Sequence, residues 1–234
     1  MKTQDKNNER FVSKVFQDVF DKYDLMNDLM SFGIHRIWKK NFIDWLNPQE
    51  NTILVDVASG TGDIAKLYLN KINYKGSVFC VDENKEMLKL NKSKIEKKSD
   101  VKWFCNNAEK LPFKKDTFDY YTISFGIRNV ENINIALKEA HRVLKPGGRF
   151  LCLEFSKIRN EIINKLYKSY SKSIPILGGV VVGKSEPYKY LIRSIEKFYN
   201  QEQLIELIKK NKFENVAYRN FNSGIVAIHS GWKI

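Results

Sequence analysis

Cysteine, histidine and long hydrophobic runs are all scarce in this 234-residue sequence. Cys80, Cys105 and Cys152 each fall within an apparent strand and share no metal-like spacing. An odd cysteine count suits a reducing compartment, so inert buried thiols are expected and a metal site is not. The longest nearly uncharged apolar stretch, Ile174 to Gly183 (IPILGGVVVG), is too short and too glycine-rich to span a bilayer. The opening decapeptide MKTQDKNNER is polar and has no signal-peptide hydrophobic region. These absences point to a cytoplasmic protein, peripheral at most on the inner face of the membrane. Acids are also in deficit: 40 lysines and arginines face 27 aspartates and glutamates, a formal charge of +13 at pH 7. Such an excess fits nucleic acid, an anionic membrane surface or an acidic substrate. It fits a lysine-rich composition equally well, because lysines and asparagines are scattered along the whole chain.

What is present is enough for a packed core, with 43% apolar and 13% aromatic residues. Without internal repeats or a low-complexity linker, residues 1–234 read as one domain. From Phe11 to Trp45 the apolar residues recur at helical spacing, from Val12, Val15 and Phe16 through to Trp38, Phe42 and Trp45. This predicts a helical N-terminal cover over residues 1–50. Short apolar runs then alternate with helical stretches: Ile53–Val57, Ser77–Val81, Val101–Cys105, Tyr120–Ser124 and Arg149–Glu154. The helices between them carry Ile64 and Leu67, then Met87, Leu88 and Ile95, then Ile135, Leu137 and Val143. Alternation of this kind means βαβ units and a parallel sheet. Asn215–Phe221 and Ile225–His229, separated by Asn222-Ser223-Gly224, carry a hairpin signal. The expected fold is therefore α/β: a seven-stranded, mostly parallel sheet with an antiparallel C-terminal hairpin strand.

Ligands of such sheets bind where the strands end at their carboxyl termini, so the residues following each strand are the candidate site. After the first strand comes DVASGTGDIA, in which Gly60 and Gly62 let the backbone approach a ligand closely. After the second, Asp82 is placed to grip a ribose through both carboxylate oxygens. After the third, Asn107 and Ala108 offer a short amide beside a small residue, suited to an adenine edge. Read loosely, Gly60 to Ala65 is a dinucleotide-binding turn. Dehydrogenase turns, however, put the glycine directly after the strand, so that pyrophosphate meets a helix N-terminus. Here Asp56 precedes the glycines. A carboxylate there repels pyrophosphate and welcomes the ammonium and sulfonium of S-adenosylmethionine.

DVASGTGDIA, VDENKEML, NAEKLPFKKDTFD, ISFGIRNV, ALKEAHRVLKPGGRFLCLEFSK and GIVAIHSGWKI resemble the UbiE-type C-methyltransferases of ubiquinone and menaquinone biosynthesis. The N-terminal KYDLMNDLMSFGIHRIWK matches them too, so the resemblance covers nearly the whole chain. It implies the Rossmann-like fold of class I methyltransferases, S-adenosylmethionine as donor and a prenylated quinol as acceptor. It also implies cofactor contacts at Thr61, Asp82, Asn107, Ala108 and Ser124. Ser59 stands where the family commonly has glycine. A homodimer or a quinone-biosynthesis complex is compatible with the resemblance.

C-methylation needs an electron-rich ring carbon, hence a phenol that sheds its proton. A planar guanidinium beside an amide is a fixed donor for the resulting oxygen anion, which singles out Arg128, for oxyanion stabilisation or for orienting a water, with Asn129 as its partner. Arginine stays protonated in proteins, so Arg128 is not a base; helix capping or a surface pair with Glu131 is its structural alternative. For the proton, only His35, His141 and His229 titrate near neutrality, and His141 and His229 read as structural. Tyr23, His35 and Tyr188 are candidates for contact with the ring. From Phe155 onward, basic and apolar residues alternate (Lys157, Arg159, Lys165, Lys168 and Lys172 among Ile158, Ile162, Ile163, Leu166, Tyr167 and Tyr170) before IPILGGVVVG. A basic amphipathic helix followed by a flexible apolar loop suits a lid at residues 155–195, able to admit a prenyl tail at an anionic membrane surface. The rival class is an RNA methyltransferase, argued from charge alone. The chain lacks an RNA-binding module and an interleaved aromatic and basic run, so no nucleic-acid partner is expected.

Overall fold

The computed structural model describes residues 31, 33–91, 100–182 and 185–234. The expectations for Tyr23, for Ile95 and for the helical cover up to residue 30 lie outside the described residues. The opening helix, α1, is His35–Leu46. The sheet is then built in alternation: β1 Thr52–Val57, α2 Asp63–Lys71, β2 Gly76–Asp82, α3 Lys85–Asn91, β3 Asp100–Cys105, β4 Phe118–Ser124, α4 Ile133–Val143 and β5 Leu144–Phe155. Next come α5 Glu161–Val182, α6 Glu186–Lys197, α7 Gln201–Lys210, β6 Glu214–Phe221 and β7 Val226–Trp232.

The seven strands lie in the order β3-β2-β1-β4-β5-β7-β6. The first five pair in parallel, and β7 runs antiparallel between β5 and β6. The expected hairpin therefore closes the sheet, with its reversed strand on the inner side and β6 at the edge. Strands covered on both faces read as continuous apolar runs, and β1 and β5 do: Leu54, Val55, Phe150, Leu151 and Leu153 are all buried. The chain leaves β1 in one direction for β2 and β3, and later returns beside β1 as β4. The carboxyl ends of β1 and β4 thus flank the switch point, where such sheets take ligands.

By contact, the described residues through Arg36 group with Ile158–Phe198 in one compact unit, and Ile37–Lys157 group with Tyr199–Ile234 in another. Within the larger unit, Arg149 fixes the end of α1 to the sheet. Its Nη1 donates to the carbonyls of Trp45 at 2.6 Å and Leu46 at 3.2 Å, and its Nε donates to Ser230 Oγ at 2.9 Å. The orphan carbonyls that every helix leaves at its C-terminus are satisfied this way.

Three expectations need correction. Residues 174–182 of IPILGGVVVG are not a loop: α5 runs without interruption from Glu161 to Val182, with Pro175 inside it. Cys105 is exposed, because β3 is an edge strand; only Cys80 and Cys152 are buried. Ile135 faces solvent on α4, whose buried side is Ala136, Leu137, Ala140 and Val143.

Candidate functional site

The turn after β1 is shaped by the backbone. Ala58 (φ 53°), Gly60 (φ 50°) and Gly62 (φ 74°) are all left-handed, whereas Ser59 is not. Serine therefore fits at position 59: it is buried beside Cys80, and its amide donates to Val81 O at 3.1 Å. Thr61 is buried as well. At the end of β2, Asp82 organises this turn. Its Oδ2 accepts from Gly60 N at 2.8 Å and its Oδ1 from Asn84 N at 2.9 Å. Each oxygen keeps a lone pair for a further donor. Burial raises the Asp82 carboxyl above the usual carboxylate range, against the pull of the Asn84 and Gly60 amides.

Asp56 sits beneath the turn, 1% exposed. Thr122 Oγ1 donates to its Oδ1 at 2.7 Å, and its Oδ2 has no partner among the described residues. Burial pushes this carboxyl up to about 7, although the Thr122 hydroxyl and the Lys39 charge oppose the shift. A buried acceptor left open next to a glycine turn is where a cationic ligand group recovers the cost of its desolvation.

Past β3, the Asn107 side-chain oxygen accepts from the amides of Glu109 at 3.1 Å and Lys110 at 3.0 Å. This caps the turn and presents buried Ala108. The following loop is stapled to α4: Glu109 Oε1 accepts from Asn132 N at 2.7 Å, Glu139 Oε2 from Leu111 N at 2.9 Å, and Arg142 holds Glu139 and the carbonyls of Leu111 and Phe113. These bonds fix NAEKLPF at the third strand end.

After β4, Ser124 keeps a buried hydroxyl without a partner among the described residues, and Phe125 takes a left-handed φ of 55°. A bulky residue in that region is held there by its surroundings. Trp38 and Phe155 supply them, with ring centroids 6.3 and 5.0 Å from Phe125. Trp38 is itself fixed by a bond of 2.6 Å from its Nε1 to Asn222 Oδ1. Arg128 and Asn129 form the short 3-10 turn Ile127–Asn129.

The Arg128 side chain does not lie on the surface. Its Nη1 donates to Phe125 O at 2.6 Å and to Glu154 Oε1 at 2.8 Å, while its Nε has no partner among the described residues. The guanidinium also lies 5.7 Å from the centroid of the Phe155 ring. The pair with Glu154 replaces the expected alternative of a surface pair with Glu131. Burial raises the Glu154 carboxyl above its usual range, and the Arg128 charge opposes that.

The histidines divide as follows. His229, on β7, is buried, its Nε2 is 3.1 Å from Gln201 O, and burial lowers its pKa to about 4. His141 packs edge-on against Phe213 and is also lowered by burial. His229 therefore stays neutral at pH 7. His35 is buried with its Nδ1 3.1 Å from Ser31 Oγ, and Tyr188 is buried on α6. Both belong to the smaller unit. Asp56, Gly60, Thr61, Gly62, Asp82, Asn107, Ala108, Ser124, Arg128 and Asn129 all belong to the larger one, at the carboxyl ends of β1, β2, β3 and β4.

Two residues escaped the sequence reading. Glu154 is an acid inside an apolar strand, which was itself the available signal. Lys39 shares a helix face with His35, Phe42 and Leu46, all of them buried, and a lysine in an apolar stripe was the clue.

Three comparisons place the chain among known proteins. The profile of the ubiE/COQ5 methyltransferase family matches residues 2–233. The chain is 51% identical over 230 residues to the ubiquinone/menaquinone biosynthesis C-methyltransferase UbiE of Rickettsia akari, covering 95% of this chain and 92% of that one. It is 46% identical over 261 residues to the mitochondrial 2-methoxy-6-polyprenyl-1,4-benzoquinol methylase of Gallus gallus, covering 95% and 84%. Among solved structures, a SAM-dependent methyltransferase of Thermotoga maritima, a possible histamine N-methyltransferase, superposes with a TM-score of 0.68 at 20% identity, covering 95% of this chain and all of that one.

Proposed function

The chain belongs to the ubiE/COQ5 methyltransferase family, and from that premise we propose that it methylates a ring carbon of a prenylated quinol with S-adenosylmethionine as donor. The acceptor is of the 2-methoxy-6-polyprenyl-1,4-benzoquinol type in ubiquinone biosynthesis, demethylmenaquinol in menaquinone biosynthesis, or both. The observation that carries the donor assignment is the open, buried Oδ2 of Asp56 beside the glycine turn, which fits a cation and rejects a pyrophosphate. When bound, S-adenosylmethionine supplies a methyl carbon made electrophilic by its sulfonium. Asp82 takes the ribose hydroxyls with the lone pairs its two backbone bonds leave free. Ala108 and the capped Asn107 turn meet the adenine, and Thr61 and Ser124 complete the contacts.

Arg128 works on the acceptor. Loss of the phenol proton leaves an oxygen anion whose charge then feeds the attacking ring carbon, and donors fixed in advance lower the cost of forming that anion. Glu154 and the Phe125 carbonyl hold the guanidinium by one nitrogen, which aims the rest of the fork. Asn129 is its partner on the same turn. An RNA acceptor, the alternative allowed by charge, is not favoured by the family. Peripheral attachment to an anionic membrane surface accompanies this reading. Ile162 and Leu166 stand 71% and 67% exposed on α5, next to Lys165 and the basic residues before the helix. No helix among the described residues is long and apolar enough to cross a membrane.

Incubation with methyl-labelled S-adenosylmethionine tests the assignment. Label is expected on a ring carbon of a short-chain demethylated quinol, and not in bulk RNA. Label in RNA alone would overturn it.

A further inference from the structure

Lys39 is unlike its neighbour Lys40. Lys40 is 72% exposed and pairs with Asp44 one turn on, as an ordinary surface lysine does. The Lys39 side chain is only 10% exposed, with its Nζ 2.6 Å from Asp63 Oδ2. Asp63 is 42% exposed, so this acid does not need a buried partner, and withdrawing an ammonium from water for a half-exposed pair gains little stability. The placement calls for another reason.

Asp63 opens α2, directly after left-handed Gly62, where the positive end of the helix dipole faces the turn. On the other side lies Asp56, with one oxygen open and buried. Lys39 acts on Asp56 by charge, yet the two form no ion pair among the described residues. A buried cation and a buried acid therefore border one glycine turn, each kept from neutralising the other. That is the complement of a zwitterion. An α-amino acid end carries an ammonium and a carboxylate on a single carbon, and the site offers one group of opposite sign for each.

We propose that Lys39, steadied by Asp63, binds the carboxylate of the methyl donor's amino-acid end, while Asp56 takes its ammonium. This rests on the donor assigned above and makes Lys39 a specificity determinant. Lys39 and Asp56 distinguish the whole donor, and the demethylated product that keeps its amino-acid end, from adenosine fragments without one.

Calorimetry on the full chain tests this with three ligands: S-adenosylmethionine, its decarboxylated form, which keeps the ammonium, and 5′-methylthioadenosine, which has neither charge. Wild type should prefer S-adenosylmethionine over the decarboxylated form by about 10- to 100-fold, as expected for one charge-assisted contact. Lys39→Met should abolish that preference while leaving affinity for the other two ligands within about twofold, and Lys39→Arg should retain part of it. Asp63→Asn, which loosens Lys39 without removing it, should give an intermediate preference and covers the case in which Lys39→Met does not fold. Equal weakening of all three ligands by Lys39→Met, or a wild type indifferent to the carboxylate, overturns the proposal and leaves the donor assignment standing. A wild type that binds none of the three overturns the donor assignment as well.

Discussion

Arg128 and Glu154 are 4% and 1% exposed as side chains, and a pair so far from water is a poor way to gain stability. Its value lies in orientation. Arg128→Lys keeps the charge and loses the planar fork, so turnover should fall about a hundred- to a thousandfold, with S-adenosylmethionine affinity retained. Single-turnover rates measured beside thermal melts decide this, and a normal rate with a lowered melting temperature would reduce the turn to scaffold. Glu154→Gln should instead lower the melting temperature first, because it strands a buried guanidinium at a cost of about 3–5 kcal/mol. Asp56 makes a pH prediction. Burial raises its carboxyl from 3.8 to about 7, so between those values the folded chain holds a proton that the unfolded chain releases. The residue's contribution to stability is therefore complete below about 4, falls as pH rises through 7, and stays lost above. Asp56→Asn, which still accepts from Thr122, should stabilise the ligand-free protein at pH 8 by up to a few kcal/mol relative to wild type and by far less at pH 4. Comparing melts at the two pH values isolates this residue from Asp82 and Glu154, which shift in the same direction. A larger gain at the lower pH would refute the assignment.

The turns after β1 and β4 meet because those strands are neighbours in the sheet. Gly126 is where they touch: a Cβ built on it would lie 2.3 Å from the Cβ of Ala58. Its φ of −118° is open to any residue, so the requirement is close approach alone. Gly126→Ala should cost about 1–3 kcal/mol by overpacking, read as a lower melting temperature. Adding Ala58→Gly should recover most of that, since it removes the clashing methyl and relaxes a left-handed alanine; a single variant as stable as wild type would remove the contact from the account. The sheet and the strand-end acids were legible because doubly covered strands are apolar without a break, and a polar residue that ends such a run marks the sheet's carboxyl edge. Other features were not. Pro175 and the Gly178-Gly179 pair are breakers by local rule, yet α5 passes through them. On α4, Leu137 and Val143 lie on the buried side, which Ala136 and Ala140 complete, and only Ile135 of the three large apolar residues turns outward. The partnership of Arg128 with Glu154 joins residues 26 apart in sequence, and no periodicity carries that information.

At the scale of the molecule the unresolved quantity is charge. A formal +13 is a sequence fact, and scattered lysines alone do not say whether it serves a surface. The α5 segment adds a second ingredient, because Ile162 and Leu166 are one helical turn apart and both are exposed in a lysine-rich neighbourhood. A helix that lays apolar side chains into the headgroup region while lysines meet anionic lipid gains from both terms, the charge term being about 1 kcal/mol for each lysine near the surface. The two terms respond differently to salt. At physiological ionic strength the Debye length is about 8 Å, and at 1 M about 3 Å, so the electrostatic share should vanish while the apolar share persists. Co-sedimentation with anionic vesicles should therefore show weak binding at low salt and release as salt is raised, with little binding to neutral vesicles. The double substitution Ile162→Ser with Leu166→Ser leaves the charge untouched and should reduce binding several-fold at low salt. If the double variant binds as wild type does, the attraction belongs to the charge of the whole chain and α5 has no special part in it. If wild type does not bind at low salt, the lysines are compositional, and a prenylated acceptor must reach the site by another route.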